Sequence, residues 1–199
     1  MNNNIGLENI ILAYEFWASN GFHSQSVPMS VDKDILLWTT PEDRQKLFSD
    51  EHNDKYYVAS AEQSFLQLEK EGKLAYHDLM PPTCLMGLTQ CVRDEPVLDD
   101  THFKSFVKLE LFIYNGIPED VLRLAKKSQM FLEVWLGLDN VRIIKTDNGL
   151  DIVAQVKGKE IELGSYGCRE SPKGVSYVYG TGLAEPRTSY VQQLLTKGY

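Results

Sequence analysis

Two glycine-containing dipeptides in the second half of the chain constrain its fold more than any other feature. Asn148-Gly149 and Lys157-Gly158 each separate short segments rich in β-branched and aliphatic residues, which is typical of two-residue hairpin turns. Such a turn joins antiparallel neighbours, because parallel strands need a crossover of a dozen or more residues. The segments that flank these turns are predicted to be strands, at residues 141–145, 150–156 and 161–165.

The segment from residue 106 to residue 113 has the clearest alternation in the chain. Its odd positions are all aliphatic, whereas its even positions are phenylalanine, lysine, glutamate and phenylalanine. Alternation with a period of two predicts a strand with one core face and one face that carries charged and aromatic groups. Further strands are predicted at residues 22–28, 85–92 and 175–179.

Helical patterns lie between these strands. Apolar residues recur at helical spacing from Leu7 to Trp17, before a glycine stop at Asn20-Gly21. A second helix is predicted at 61–72, a long one from Pro118 to Gly137, and a last one at 190–195 after a Gly-x-Gly turn at 180–182. The prediction is one α+β domain over residues 1–199, with an antiparallel β-sheet flanked by helices.

Composition excludes several classes of protein. The 20 basic and 28 acidic side chains give a net charge of −8, which argues against broad, sequence-independent binding to nucleic acid. No apolar stretch approaches the ~20 residues of a membrane span, and the first residues lack the pattern of a secretory signal. The three cysteines form no CxxC pair, so we expect reduced thiols. The predicted location is the cytoplasm, with no membrane partner.

Three segments carry more chemistry than a structural role requires: GFHSQSVP at 21–28, CVRDEPVLDDTHFKSFVKLE at 91–110, and GTGLAEPRTSY at 180–190. In the second, a tight acidic turn is predicted to bring two strand limbs together. The limbs would present a set of side chains at one place: Arg93, Glu95, His102, Phe106 and Glu110. In the third, Arg187 is predicted to begin a helix, after two glycines that allow close approach of the backbone.

This set of side chains predicts an ATP site. Arg93 and Arg187 offer rigid forks of donors for phosphate oxygens, and Phe106 offers a ring for adenine. Carboxylates at the same place can bind Mg²⁺ that bridges phosphates, or can bind an ammonium group. Neither a P-loop nor a GxGxxG fingerprint is present, so the two commonest nucleotide-binding folds are not indicated.

The three segments, in this order, resemble the three motifs of the class II aminoacyl-tRNA synthetase catalytic core. The first helix with GFHSQSVP resembles motif one, Arg93-Asp94-Glu95 with the strand 102–110 resembles motif two, and residues 180–187 resemble motif three. The resemblance covers almost the whole chain. The seryl-type branch is the most similar, since it shares a Thr/Ser-Ala-Glu sequence (here Ser60 to Glu62) and a Glu-x-x-Ser strand (here Glu162 to Ser165).

The resemblance implies a role for each matching residue. Arg93 would contact the α-phosphate, Glu95 the adenine side of ATP, and His102 the γ-phosphate. Phe106 would stack on adenine, and Arg187 would cover its other face and reach the γ-phosphate. The remaining roles implied are Mg²⁺ binding by Glu162 and Ser165, and amino-acid binding by Ser60, Glu62 and Glu110. The cofactors implied are ATP and Mg²⁺, and the amino acid's own carboxylate would attack the α-phosphorus.

Two departures from the family affect the predicted partners. The turn at 96–101 is shorter than the loop with which the family contacts tRNA, and 199 residues cover only a catalytic core. We therefore predict a stand-alone paralogue without a tRNA-binding domain that forms an acyl-adenylate. Its acceptor could be a carrier protein, a protein side chain, a small amine or the tRNA acceptor end. The first motif implies a homodimer through residues 7–28.

A rival hypothesis is a non-catalytic paralogue that keeps the fold as a regulatory or binding subunit. Taken singly, each feature also has a structural explanation. Arg93 and Glu95 could be a solvated ion pair, Phe106 a core residue, His102 a surface residue and Gly180 part of a turn. Joint occurrence of the three motifs favours the family fold. The enzyme is favoured by the presence of a complete set of site residues, Arg93, Glu95, Phe106, Glu162 and Arg187.

Overall fold

A computed structural model of the chain describes residues 6–40, 48–75, 82–95, 98–99 and 101–196. Within these ranges the helices are α1 (Leu7–Ser19), α2 (Lys33–Thr39), α3 (Ala61–Lys70), α4 (Pro118–Met130), which continues as a π-helical turn (Phe131–Trp135), and α5 (Arg187–Thr196). The strands are β1 (His23–Ser24), β2 (Ser30–Val31), β3 (Ser49–Asp50), β4 (Lys55–Tyr57), β5 (Thr83–Val92), β6 (Ser105–Tyr114), β7 (Val141–Thr146), β8 (Gly149–Val156), β9 (Lys159–Glu170) and β10 (Ser176–Glu185).

The main sheet of the described residues has seven strands in the order β1-β5-β6-β10-β9-β8-β7. Every pair is antiparallel except β1 with β5, which confirms the predicted α+β class. Lys157 and Gly158 form the β8–β9 turn with φ values of 50° and 77°, as a type I′ hairpin requires. The β7–β8 turn lies one residue earlier than predicted, since Gly149 already pairs with Thr146.

Helices cover both faces of the sheet, and each face has its own hydrophobic cluster. On one face, the odd-numbered residues of β6, Leu109 and Leu111 among them, pack with α1 and α4 around Trp17. On the other face, Phe112 lies between Phe65 of α3 and Tyr177 of β10, with ring centroids 4.8 Å apart in both pairs. The even-numbered residues of β6 were predicted to form a face that carries charged and aromatic groups of the site. Phe112 is instead buried under α3, so only the N-terminal half of this strand face adjoins the site.

The predicted Gly-x-Gly turn at 180–182 is wrong. Gly180, Thr181 and Gly182 lie inside β10, and the pairing with β6 shifts register between Thr181 and Leu183. Gly180 does not form a turn. It leaves room for the side chain of a neighbouring residue, because a Cβ on Gly180 would lie 2.5 Å from the Tyr166 ring. The prediction of a strand at 22–28 was also too long, since the strand covers only His23 and Ser24.

Gly180→Ala is therefore expected to destabilise the fold by about 1–3 kcal/mol, as overpacking of a filled core does. Its added methyl would meet the Tyr166 ring at 2.5 Å and Leu124 at 2.7 Å, and Tyr166 is held by a 2.7 Å hydrogen bond to the Thr181 carbonyl. Gly182→Ala is the matched control, with its nearest contact at 3.1 Å. Urea denaturation measures both, and an equal or larger loss for Gly182→Ala would contradict the packing argument.

A second, small sheet in the described part of the chain was not predicted. It has the order β2-β4-β3, and its strands of two or three residues are too short to show periodicity. Together with α2 it packs beside α3, with Val31, Ile35 and Val58 in the same hydrophobic cluster. The helices among these residues include none that is long and apolar enough to cross a membrane.

Candidate functional site

Three adjoining cavities form a continuous cleft on the face of the sheet that carries α3. We call them the inner cavity (about 190 Å³), the middle cavity (about 50 Å³) and the outer cavity (about 200 Å³). Lys108 and Ser165 line both the inner and middle cavities, and Glu162 and Arg187 line both the middle and outer ones. Arg93 lines all three, so the predicted second motif lies at the centre of the cleft.

The Arg93 guanidinium is held from three sides. Its Nε donates a 2.7 Å hydrogen bond to the Ala59 carbonyl, its Cζ lies 4.9 Å from the centroid of the Phe106 ring, and its Nη1 lies 4.0 Å from Glu95. Strand β5 ends at Val92, but the ladder continues by one bond, from the Arg93 N–H to the Lys104 carbonyl. The two limbs of the predicted hairpin are thus joined here, and Arg93 and Glu95 both line the outer cavity.

Arg187 begins α5, as predicted, and crosses to the second motif. Its Nε donates to the Thr101 carbonyl at 2.7 Å and its Nη1 to the Glu162 carbonyl at 3.2 Å. Burial lowers the pKa of Arg187, although Glu162 opposes the shift; a guanidinium stays charged at neutral pH even so. These bonds join the third motif to the second and place Arg187 between the middle and outer cavities.

His102 lies at the solvent side of the outer cavity. Its Nδ1 is 2.9 Å from Oδ1 of Asp99, and both side chains are half exposed. Hydrogen bonds from the Thr101 N–H and hydroxyl, and from His102, hold the pKa of Asp99 well below its usual value. The predicted turn at 96–101 lies partly outside the described residues.

Glu162 and Ser165 both line the middle cavity, although they are three positions apart in sequence. Side chains three apart on a regular strand point to opposite faces. Here the β8–β9 register slips between Ile152 and Val153, which leaves one extra residue in β9 between Glu162 and Gly164. A bulge of this kind re-aims side chains. The hydroxyl of Ser165 also bonds to Asp151, whose pKa is raised by burial.

The donor set in the middle cavity fits a magnesium ion held mostly by a substrate. The described residues contain no cluster of three or more histidine, cysteine, aspartate or glutamate side chains able to hold a metal. Mg²⁺ keeps several waters and commonly takes only one or two carboxylates besides phosphate oxygens. Glu162, half exposed at the cavity edge, supplies one such carboxylate.

Glu62 lies in the first turn of α3, buried against the inner cavity. Its two oxygens accept bonds from Nη1 of Arg169 at 3.0 and 3.1 Å, and Oε1 also accepts the Tyr177 hydroxyl at 2.7 Å. Burial raises the pKa of Glu62 and Arg169 opposes that shift. The predicted ammonium ligand is therefore already in an ion pair within the protein.

Glu110 does not line any of the three cavities. It is fully buried, and its Oε2 accepts bonds from Lys108 Nζ at 2.8 Å, Ser60 Oγ at 3.0 Å and the Glu62 N–H at 3.1 Å. Its Oε1 is buried with no hydrogen-bond partner. Ser60 and Lys108 do line the inner cavity, so Glu110 adjoins the cleft through them.

Two cations of the site, Lys108 and Arg169, were not predicted to belong to it. Both could have been found from alternation. Lys108 lies between Phe106 and Glu110 on the same strand face, and Arg169 is four residues from Ser165, an even number. The Arg169 guanidinium lies 4.6 Å over the ring of Tyr179, which also lines the inner cavity.

Known proteins resemble this chain in structure and not in sequence. No family model and no curated protein matches it. Seryl-tRNA synthetase from Pyrococcus horikoshii complexed with ATP matches with a TM-score of 0.69 and 20% identity, over 92% of this chain and 48% of that one. Pyrrolysyl-tRNA synthetase from Desulfitobacterium hafniense matches with a TM-score of 0.71 and 16% identity, over 94% and 69%. Cytoplasmic serine-tRNA ligase from Naegleria fowleri in complex with AMP matches with a TM-score of 0.69 and 17% identity, over 92% and 47%.

The fold expected from the three motifs is confirmed by these comparisons. The chain has the fold of the catalytic core of class II aminoacyl-tRNA synthetases. It spans about half the length of the two seryl enzymes.

Proposed function

We propose that the protein activates a small carboxylic acid, an amino acid or a similar compound, with ATP and Mg²⁺. The products would be an acyl-adenylate and pyrophosphate. The observation that carries the proposal is the position of Arg93, which adjoins all three cavities of the cleft. The likeness to structures crystallised with ATP and with AMP supports nucleotide binding in the same fold.

In the proposed reaction, a carboxylate oxygen of the acid in the inner cavity attacks the α-phosphorus. The new bond joins that oxygen to phosphorus, and the bond to the β-phosphate oxygen breaks to release pyrophosphate. No protein nucleophile is needed, so catalysis consists of in-line positioning and charge stabilisation. Arg93 fits the latter role, because its guanidinium is fixed by Ala59, Phe106 and Glu95 before any substrate binds.

ATP would occupy the outer and middle cavities. Arg93 covers one face of Phe106, which leaves the other face for adenine. The middle cavity, at about 50 Å³, has room for roughly two water molecules at ~30 Å³ each. Adenine stacking would therefore require Arg187 to leave the Thr101 carbonyl and move over the base. Glu95 and His102 line the outer cavity together with Arg187.

Glu162 and Ser165 would hold Mg²⁺ together with phosphate oxygens. The ion, when bound, neutralises charge on the phosphates of ATP. Glu110 has no direct path to the acid, so we propose that it positions Ser60 and Lys108, which do line the inner cavity. The acceptor of the acyl group belongs to one of four classes: a carrier protein, a protein side chain, a small amine or the tRNA acceptor end.

Exchange of ATP with labelled pyrophosphate tests the proposal. We expect exchange with at least one member of a panel of the twenty amino acids and simple aliphatic acids, and its loss when EDTA removes the divalent ion. If no acid supports exchange and calorimetry detects no ATP binding, the enzyme hypothesis is refuted. The rival hypothesis, a non-catalytic regulatory or binding subunit, would then be favoured.

We also propose a cytoplasmic homodimer formed through residues 7–28. The exposed face of α1 carries Leu7 and Ile11, which are 66% and 52% accessible and lie one helical turn apart. Light scattering is expected to give about twice the 22.7 kDa of one chain, and Leu7→Glu with Ile11→Glu is expected to give one chain. Val134→Glu changes an exposed residue outside this segment and serves as the control, which is expected to keep the mass of the wild-type protein. A monomeric wild-type protein would contradict the dimer.

A further inference from the structure

The inner cavity is lined by more positive than negative charge. Its charged residues are Arg93, Lys108, Arg169, Glu62 and Asp94. The two carboxylates differ in solvent exposure, since Glu62 is buried and Asp94 is exposed. Glu62 is paired with Arg169, and the carboxylate of Glu110 behind the cavity wall is paired with Lys108.

These ion pairs occupy the two buried carboxylates at the inner cavity, Glu62 and Glu110. An ammonium would have to displace Arg169 and the Tyr177 hydroxyl from Glu62. It could not reach Glu110 without moving Ser60 and Lys108. Breaking a buried ion pair leaves an uncompensated charge and is strongly unfavourable. The buried carboxylates of the cavity are thus poorly suited to bind an ammonium group, which all standard amino acids carry.

Donors, by contrast, are available in the inner cavity. A guanidinium carries five N–H donors and an ammonium three. The contacts of Arg169 with described side chains use its Nη1, and those of Lys108 go to Glu110 and Ser60. The Tyr179 ring packs against the Arg169 guanidinium. Burial raises the pKa of Tyr179 to about 12, and its hydroxyl donates to the Asn148 carbonyl at 3.5 Å.

We propose that the inner cavity binds the second carboxylate of a small dicarboxylic acid, held by Arg169 and Lys108, while the first carboxylate lies at Arg93. This inference rests on the proposed function and specifies its substrate class. Guanidinium and ammonium groups form charge-assisted hydrogen bonds with carboxylate oxygens. The volume of about 190 Å³ equals roughly six water molecules at ~30 Å³ each, which suits an acid of the size of succinate.

Exchange assays with matched acids measure the effects of the ammonium group and of the second carboxylate separately. Succinate and aspartate differ only in the ammonium group, and succinate and propionate differ only in the second carboxylate. We expect ATP–pyrophosphate exchange with succinate to be at least about tenfold faster than with propionate, because a site built for one polar group discriminates strongly against its loss. We expect a similar margin over aspartate, because its ammonium group would have to displace Arg169 from the buried Glu62 carboxylate. Faster exchange with alanine or serine than with succinate would overturn the proposal.

Calorimetry, with and without ATP, measures succinate binding and so tests the dicarboxylate site independently of the proposed activation reaction. Arg169→Met is expected to weaken succinate binding at least about tenfold and to free Glu62 for an ammonium. Because that variant leaves a buried carboxylate unpaired, Arg169→Met with Glu62→Gln removes both charges and serves as the second variant. Arg123→Ala, on α4 and outside the three cavities, is the control.

Each outcome decides one or both proposals. Succinate binding that depends on Arg169, with no exchange from any acid, would refute activation and keep the dicarboxylate site. Exchange with a neutral amino acid, with no succinate binding, would refute the dicarboxylate site and keep activation. Neither binding nor exchange with any acid would refute both.

Discussion

Replacement of Arg93 by alanine is expected to lower the rate of ATP–pyrophosphate exchange about 10²–10³-fold, as removal of one preorganised donor to a transition-state oxyanion does. Among the described residues, Arg93 alone lines all three cavities, and the proposed function places it at the α-phosphate. The effect should fall mainly on the turnover rate, because the developing charge exists only in the transition state. Exchange rates at saturating ATP and acid measure it.

The fold should survive this substitution. Arg93 donates one charge-assisted hydrogen bond, to the Ala59 carbonyl, and a bond that involves a charged group contributes about 1.5–3 kcal/mol. The midpoint of thermal unfolding is therefore expected to fall by about 3–12 °C. Arg123→Ala again provides the matched control, and Arg93→Lys tests whether charge without the rigid fork suffices. Unchanged exchange in Arg93→Ala would refute the assignment of Arg93.

Phe112→Ala is expected to lower the free energy of unfolding by about 3–5 kcal/mol, the usual cost of removing a buried aromatic ring. Phe112 is fully buried and lies between Phe65 and Tyr177, with both centroid distances at 4.8 Å. The substitution thus removes the central ring of three and separates α3 from the sheet. Urea denaturation followed by fluorescence measures the change.

Two further variants make this stability test specific. Phe112→Leu keeps most of the volume and is expected to lose less than Phe112→Ala. Leu122→Ala, on the exposed side of α4, is expected to change stability by less than about 0.5 kcal/mol. A loss below about 1 kcal/mol for Phe112→Ala would show that the ring stack does not hold α3 to the sheet. Because Glu62 is in the first turn of α3, a detached helix should also impair the site.

Local patterns predicted much of the fold. Hairpin dipeptides predicted the antiparallel strands β7 to β9, alternation predicted β6, and proline and glycine signals predicted the ends of α4. These signals act over a few residues, so they are visible in sequence. Short strands such as β2 and β3 carry no such signal, because their pairing depends on residues far along the chain.

The site was predicted in its residues but not in its pairings. Strand periodicity predicted the groups of the cleft, including two arginines, Phe106 and the carboxylates, because it places them on predictable faces. Packing of distant segments brings Arg169 to Glu62 across 107 positions of the chain and places Glu110 behind Lys108. Such pairings arise when α3 packs on the sheet. Local periodicity does not indicate which helix covers which strand, so it cannot predict them.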